Sequence, residues 1–149
     1  MAGAGTMGAG IAEAARAAGL DVLVHDPHVP GTAALEELAD RDVVIEAAPE
    51  DLGIKQDLFR ALAEHVAADA VLATNTSSLL VSAIAAGVPG PERVVGLHFF
   101  NPVSRMKLVE LVAGDASSEA ALARARAVGE AMGKHVIRAA DGPGFIVNR

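Results

Sequence analysis

Gly3-Ala-Gly-Thr-Met-Gly8 places three glycines in a GxGxxG spacing at the head of an alanine-rich stretch of helical period. No other feature constrains the fold as much, because each glycine answers a separate steric demand. Gly3 permits a tight turn, Gly5 lets a pyrophosphate approach the backbone, and Gly8 lets helix and strand pack closely. The N-terminus of the helix offers free N–H groups to the anion, so the turn, with Thr6 and Met7 between its glycines, is a candidate dinucleotide cradle. The next apolar run, Asp21-Val-Leu-Val-His-Asp26, ends in a carboxylate. It lies about 20 residues beyond the glycines, where a ribose 2′-hydroxyl needs an acceptor. Asp26 would repel a 2′-phosphate and no arginine follows it before Arg41, so the expected cofactor is NAD rather than NADP. The other reading of Asp26 is a carboxylate capping the turn at Pro27. A strand should precede Gly3, yet only Met1-Ala2 is there, so the sheet is expected to lack its first strand.

Short β-branched runs alternate with longer stretches of helical period, the pattern of βαβ units. The runs at 21–26, 42–47, 70–74, 93–99, 107–112 and 135–139 read as strands. Met7, Ile11, Ala15 and Ala18 recur at helical spacing before Gly19, as do Leu52, Phe59, Leu62 and Val66, and then Leu122, Ala125, Val128 and Met132. Ser117 or Ser118 caps the last of these helices. The expectation is an α/β fold, a Rossmann-type doubly wound and mostly parallel sheet. Asn101-Pro102 joins two strands too closely for the dozen or so residues of a parallel crossover, so those two should run antiparallel.

Composition removes whole classes of function. The chain has 149 residues, enough for one domain, and a net charge of −7 with no basic run, which argues against nucleic acid as a partner. The absence of cysteine excludes thiolate metal sites and cysteine nucleophiles, and the absence of tyrosine excludes a phenolic catalytic acid. No apolar run approaches the ~20 residues a bilayer needs, so no membrane is expected. Met1-Ala-Gly-Ala-Gly5 lacks the basic flank and apolar run of a signal peptide, so the expected location is the cytoplasm. His25 and His28 form an HxxH without a third clustered ligand, and no metal is expected.

The polar residues with chemical potential gather after the predicted strands. Leu97-His-Phe-Phe-Asn-Pro102 places His98 at one strand end, and Met106-Lys-Leu-Val-Glu110 places a carboxylate on the next. Thr74-Asn-Thr-Ser-Ser78 ends a neighbouring strand in short polar groups, and ligands of open α/β sheets collect beyond such ends. Taken singly, these residues have structural explanations: a packed histidine, a capping Ser77, an Asx-Pro turn at Asn101, a helix-start contact for Asn148, and a solvated first helical turn for Glu50 and Lys55.

Together the motifs Gly3-Ala-Gly-Thr-Met-Gly-Ala-Gly-Ile11, Glu46-Ala-Ala-Pro-Glu50, Asn75-Thr-Ser-Ser78, His98-Phe-Phe-Asn-Pro102, Met106-Lys-Leu-Val-Glu110 and Gly142-Pro-Gly-Phe-Ile-Val-Asn-Arg149 resemble the NAD-binding domain of the L-3-hydroxyacyl-CoA dehydrogenases. The resemblance implies NAD-dependent oxidation of a 3-hydroxyacyl-CoA to the 3-oxoacyl-CoA, or the reverse, in fatty-acid β-oxidation. It makes His98 the general base and Glu110 its orienting partner, with Ser77, Asn101 and Asn148 bonding the substrate oxygen or the catalytic groups. It puts Ala47, Glu50, Lys55 and Asn75 beside the cofactor.

Two departures from the family pattern accompany the match. The short segment 27–41 stands where the family has a helical hairpin that helps bind CoA, and the helical C-terminal domain through which the family dimerises is expected to be absent from residues 1–149. A homo-oligomer is implied only with that domain. Without it, the face around Phe99, Phe100 and Phe145 is expected to be partly exposed. Two further readings stay open: a non-catalytic NAD-binding or structural module, and a related dehydrogenase of other 3-hydroxy acids.

Overall fold

A computed structural model of the protein describes residues 1–148. Five strands form one sheet in the order β1 (Val43–Glu46), β2 (Val71–Thr74), β3 (Val94–Phe99), β4 (Leu108–Ala113) and β5 (His135–Ala140). β1, β2 and β3 are parallel. β4 turns back antiparallel to β3, as the short connection at Asn101-Pro102 requires, and β5 is parallel to β4.

Helices cover both faces. α1 (Thr6–Ala17) and α4 (Glu119–Ala131) bury Ile11, Ala12, Leu122 and Ala125 against one side, while α2 (Leu52–His65) and the short α3 (Val81–Ala85) bury Phe59, Leu62, Val81 and Ile84 against the other. Side chains such as Phe59 and Leu62, fully removed from water, each contribute about 1.5–3 kcal/mol. Local signals set the helix ends. Ser118 accepts from the Ala121 N–H to cap α4, Asp51 accepts from the Ile54 N–H to cap α2, and Gly19 takes a positive φ of 83° just past α1. α3 carries too short an apolar period to be read from sequence.

The segment 21–26 is extended but forms no strand ladder, contrary to expectation. Its side chains alternate as a strand's should, Val22 and Val24 toward one core cluster and Leu23 toward the other. Its parallel pairing is confined to residues 1–3. Ala2 makes isolated parallel bridges to both His25 and Glu46, so residues 1–3 hold the place between segment 21–26 and β1. A groove of about 320 Å³ adjoins Met1 and is lined by Ile11, Ala15, Val22, Leu23, Val43 and Ile45. Arg41 stands at its end, bridging to Asp21 and Asp40. In place of a helical hairpin, segment 27–41 carries only turns and a single 3-10 turn, Leu35–Leu38.

Candidate active site

The carboxyl ends of β1, β2 and β3 converge on the N-terminus of α1, and a cleft of about 280 Å³ opens there. Met7, Ala47, Glu50, Lys55, Asn75, Ser77, His98, Phe100 and Asn101 line it.

At its cofactor end, the glycines behave as their spacing demands. A Cβ on Gly8 would stand 2.1 Å from the Gly3 carbonyl oxygen, and one on Gly3, at φ 110°, would stand 2.7 Å from the Ala47 oxygen. Gly5 differs, since a Cβ there meets nothing within 4 Å, so its open side is free for a ligand. No side chain caps α1, which leaves its first N–H groups available to an anion. Asp26 lies beside this turn: it accepts from the Ala4 N–H at 2.8 Å and from the His28 N–H at 2.9 Å. The His28 and Ala4 bonds hold its carboxyl below the usual carboxylate range. Asp26 thus caps two turns while remaining an anion with lone pairs to spare for a ribose hydroxyl.

At its chemical end, the β3–β4 register sets His98 opposite Glu110. His98 Nδ1 lies 3.4 Å from Glu110 Oε1, and Glu110 Oε2 accepts the Ile146 N–H at 2.8 Å. A carboxylate only accepts, so this long bond requires the proton on Nδ1 and leaves the Nε2 lone pair free. Burial pushes the His98 pKa below its ordinary value, against the opposing pull of Glu110 and Glu50, so the ring is neutral at pH 7 and able to take a proton. Phe100 and Phe145 flank the ring at centroid distances of 4.5 Å and 5.7 Å.

Other expected residues divide into those the fold brings together and those it does not. Asn75 Oδ1 accepts the Phe99 N–H and so ties the end of β2 to the end of β3. Ser77 lies in the cleft, with its N–H and hydroxyl both donated to Glu50 Oε2 at 2.9 Å and 3.1 Å. Burial raises the Glu50 carboxyl, but bonds from Ser77 and Thr76 and the charge of Lys55 outweigh it and hold the group below its ordinary range. Lys55 is no solvated first-turn residue: it is 2% exposed and pairs with the buried Glu46 at 2.6 Å. Asn148 stands apart, exposed and outside the cleft, bonded through its backbone N–H to the Gly144 carbonyl. The phenylalanine face expected to be partly exposed is so only at Phe100, which is half-buried; Phe99 and Phe145 are buried, and Ile146 and Val147 are exposed beside them.

Sequence reasoning passed over Glu46, the one fully buried carboxylate besides Glu110 among the described residues. A signal was present: Lys55 falls on the same helical stripe as Leu52, Phe59 and Leu62, so spacing alone puts its ammonium inward, where it needs a buried partner.

Comparison with known proteins agrees with this geometry. Residues 27–142 match the family described as 3-hydroxyacyl-CoA dehydrogenase, NAD binding domain. The chain is 43% identical to a 3-hydroxybutyryl-CoA dehydrogenase of Clostridioides difficile, over 82% of this chain and 43% of that protein. It is 40% identical to a 3-hydroxyadipyl-CoA dehydrogenase of Escherichia coli, over 99% of this chain and 38% of that protein. A solved structure, (S)-3-hydroxybutyryl-CoA dehydrogenase PaaH1 from Ralstonia eutropha, superposes with a TM-score of 0.93 at 32% identity, covering 99% of this chain and 65% of that one. This chain therefore spans less than two thirds of the length of these relatives. The E. coli match runs over 182 aligned positions against a chain of 149 residues, so that relative carries positions with no counterpart here. The family match begins at residue 27, beside the shortened segment. No helix among the described residues is long and apolar enough to cross a membrane. With residues 27–142 covered by the family, the chain belongs to the NAD-binding domain family of the 3-hydroxyacyl-CoA dehydrogenases.

Proposed function

We propose that this chain is the NAD-binding and catalytic part of a dehydrogenase that oxidises the 3-hydroxyl of an acyl-CoA to the ketone, or reduces the ketone in reverse. The observation that carries the reading is the neutral, buried His98, oriented by Glu110 at the floor of the cleft that the glycine turn overlooks. Gly3, Gly5, Gly8 and Asp26 would hold NAD, which would supply the acceptor for the hydride of C3. His98 Nε2 takes the hydroxyl proton as that hydride departs, and a base so placed is worth ~10²–10⁴-fold in rate. The Glu110 carboxylate keeps the ring in the receptive tautomer and offsets the positive charge it gains. Asn101 and Ser77 line the same cleft and are assigned to the substrate oxygen and its surroundings. Asn148 joins this set only if a segment beyond it carries its side chain toward the cleft. An acyl-CoA partner and a homo-oligomer formed with a helical C-terminal domain complete the proposal, as does a cytoplasmic location.

The test is oxidation of NADH by the chain with acetoacetyl-CoA as acceptor, followed by the loss of reduced-nicotinamide absorbance. Turnover that needs both reactants and disappears in His98→Gln is expected. NAD binding with no turnover, even when a helical domain from a related dehydrogenase is appended, would favour the reading of a binding module. A free 3-oxo acid reduced faster than the thioester would favour a dehydrogenase of other 3-hydroxy acids.

A further inference from the structure

Glu46 ends β1, a strand otherwise made of Val43, Val44 and Ile45, and it is fully buried. Both of its oxygens are occupied. Oε1 accepts from Lys55 Nζ at 2.6 Å and from the Ala48 N–H at 2.5 Å, and Oε2 accepts from the Thr74 hydroxyl at 2.7 Å. From Thr74 the network continues, because its hydroxyl oxygen accepts the Thr76 N–H at 3.2 Å, and the Thr76 hydroxyl donates to Glu50 Oε1 at 2.6 Å. Glu50 Oε1 in turn lies 3.8 Å from Lys55 Nζ, which closes the circuit. Two carboxylates, one ammonium and two hydroxyls thus form a ring that joins the end of β1, the end of β2 and the first turns of α2. Glu50 and Lys55 themselves line the cleft, and Ser77 branches from the ring into it, held by Glu50 through both N–H and hydroxyl.

We propose that Glu46 is a positioning residue of the site: it anchors the ring that fixes Glu50 on Ser77, so that the Ser77 hydroxyl proton is committed to Glu50 and only its lone pairs face a ligand. Stability alone does not explain the arrangement, because a buried ion pair is often no more stabilising than apolar residues of the same volume. Glu46 is too deep to touch a ligand, whereas the loop it organises carries a group that does. Lys55 divides its charge between Glu46, in contact, and Glu50, further away. That division leaves Glu50 anionic enough to hold two donors of Ser77, which makes Ser77 an acceptor toward whatever enters the cleft. The inference rests on the proposed dehydrogenase reading only in taking Ser77 and His98 to face substrate.

The charges that face His98 provide the readout. Glu110 from β4 and Glu50 from the β1–α2 connection are the carboxylates that act on it, Lys55 from α2 lines the same cleft, and the rings of Phe100 and Phe145 pack against it. His98 is followed by NMR titration without substrate or cofactor, together with the amide proton of Ser77. In Glu46→Gln, Lys55 loses its nearer carboxylate and turns wholly to Glu50. The His98 titration should move down by roughly half a pH unit and the Ser77 amide should move upfield as its acceptor lets go. In Lys55→Met the His98 titration should move up. In the double variant, which removes one charge of each sign, it should return close to the parent.

The double variant also covers the case in which Lys55→Met fails to fold, since removing one partner of a buried pair is strongly destabilising while replacing both is often near neutral. A merely structural Glu46 would lower the melting temperature and leave the Ser77 amide where it is below it, and that result would overturn the proposal. So would shifts of the same sign in both single variants. Because no turnover is measured, failure here leaves the dehydrogenase reading standing, and failure of that reading leaves the ring standing.

Discussion

His98 and Glu110 face each other across the β3–β4 pair, one oxygen of Glu110 on the imidazole and the other on the Ile146 N–H. Both oxygens must accept, which makes glutamine a poor substitute. If the amide oxygen of Glu110→Gln stays on the Ile146 N–H, its NH₂ faces Nδ1 and drives the ring proton to Nε2, the atom that must be free. A fall in kcat of ~10²–10⁴-fold is expected, close to that of His98→Gln, with NAD affinity nearly unchanged in both. Steady-state kinetics beside calorimetric NAD titration checks this, and a Glu110→Gln enzyme within a few-fold of the parent would count against the assigned tautomer.

The pH profile of oxidation follows from the same pair. Burial lowers the His98 pKa while Glu110 and Glu50 raise it, so loss of the Glu110 charge lowers it further. The acid limb of kcat should then shift to lower pH in Glu110→Gln, at a reduced plateau. A limb that moves to higher pH would contradict Glu110 as a group that raises the His98 pKa.

Gly5 and Gly8 separate ligand binding from folding. Gly8→Ala drives a Cβ into the Gly3 carbonyl and should cost several kcal/mol, seen as a large drop in melting temperature. Gly5 has φ −68° and an open flank, so Gly5→Ala should melt within a few degrees of the parent yet bind NAD at least ~10-fold more weakly, because the methyl occupies the anion's approach. Unchanged affinity in Gly5→Ala would remove the pyrophosphate from this turn.

Asp26 should set cofactor choice. Asp26→Ser keeps a short acceptor for the Ala4 N–H but removes the charge, so the preference for NAD over NADP should shrink by ~10-fold or more. Equal affinity of the parent for the two cofactors in calorimetry would deny Asp26 its ribose role.

The Met1 ammonium is buried and donates to the Leu23 carbonyl, and burial is the main reason that its pKa falls from 8.0 to about 6. Between those values the unfolded amine binds a proton that the folded chain does not. Stability is therefore fully present above pH 8 and declines as pH falls toward 6, by up to ~2 kcal/mol. The lowered His98 pKa adds a loss of the same sign below its ordinary value of 6.5. N-acetylation, or an extension of four β-branched residues ahead of Met1, should flatten the slope between pH 8 and 6. The extension should also raise the melting temperature by filling the groove beside Val22, Val43 and Ile45. Denaturant unfolding across this pH range measures both effects.

Much of this architecture was legible in the order of residues because local physics enforces it. Gly3 and Gly8 tolerate no side chain, Ser118 and Gly19 mark helix ends, and the brevity of the link at Asn101-Pro102 forces β4 to return antiparallel, which brings Glu110 to His98. Tertiary structure alone decided the rest. Segment 21–26 has a strand's alternation, yet its pairing is limited to an isolated bridge from Ala2 to His25. Asn148 was placed at the cleft by motif and lies outside it, since nothing local ties its side chain to His98. The ring of Glu46, Lys55, Glu50, Thr74 and Thr76 joins residues 28 positions apart through buried charge. Such a pairing becomes visible only when the sheet brings the ends of two strands side by side, because desolvation then obliges every carboxylate oxygen and ammonium to find its partner.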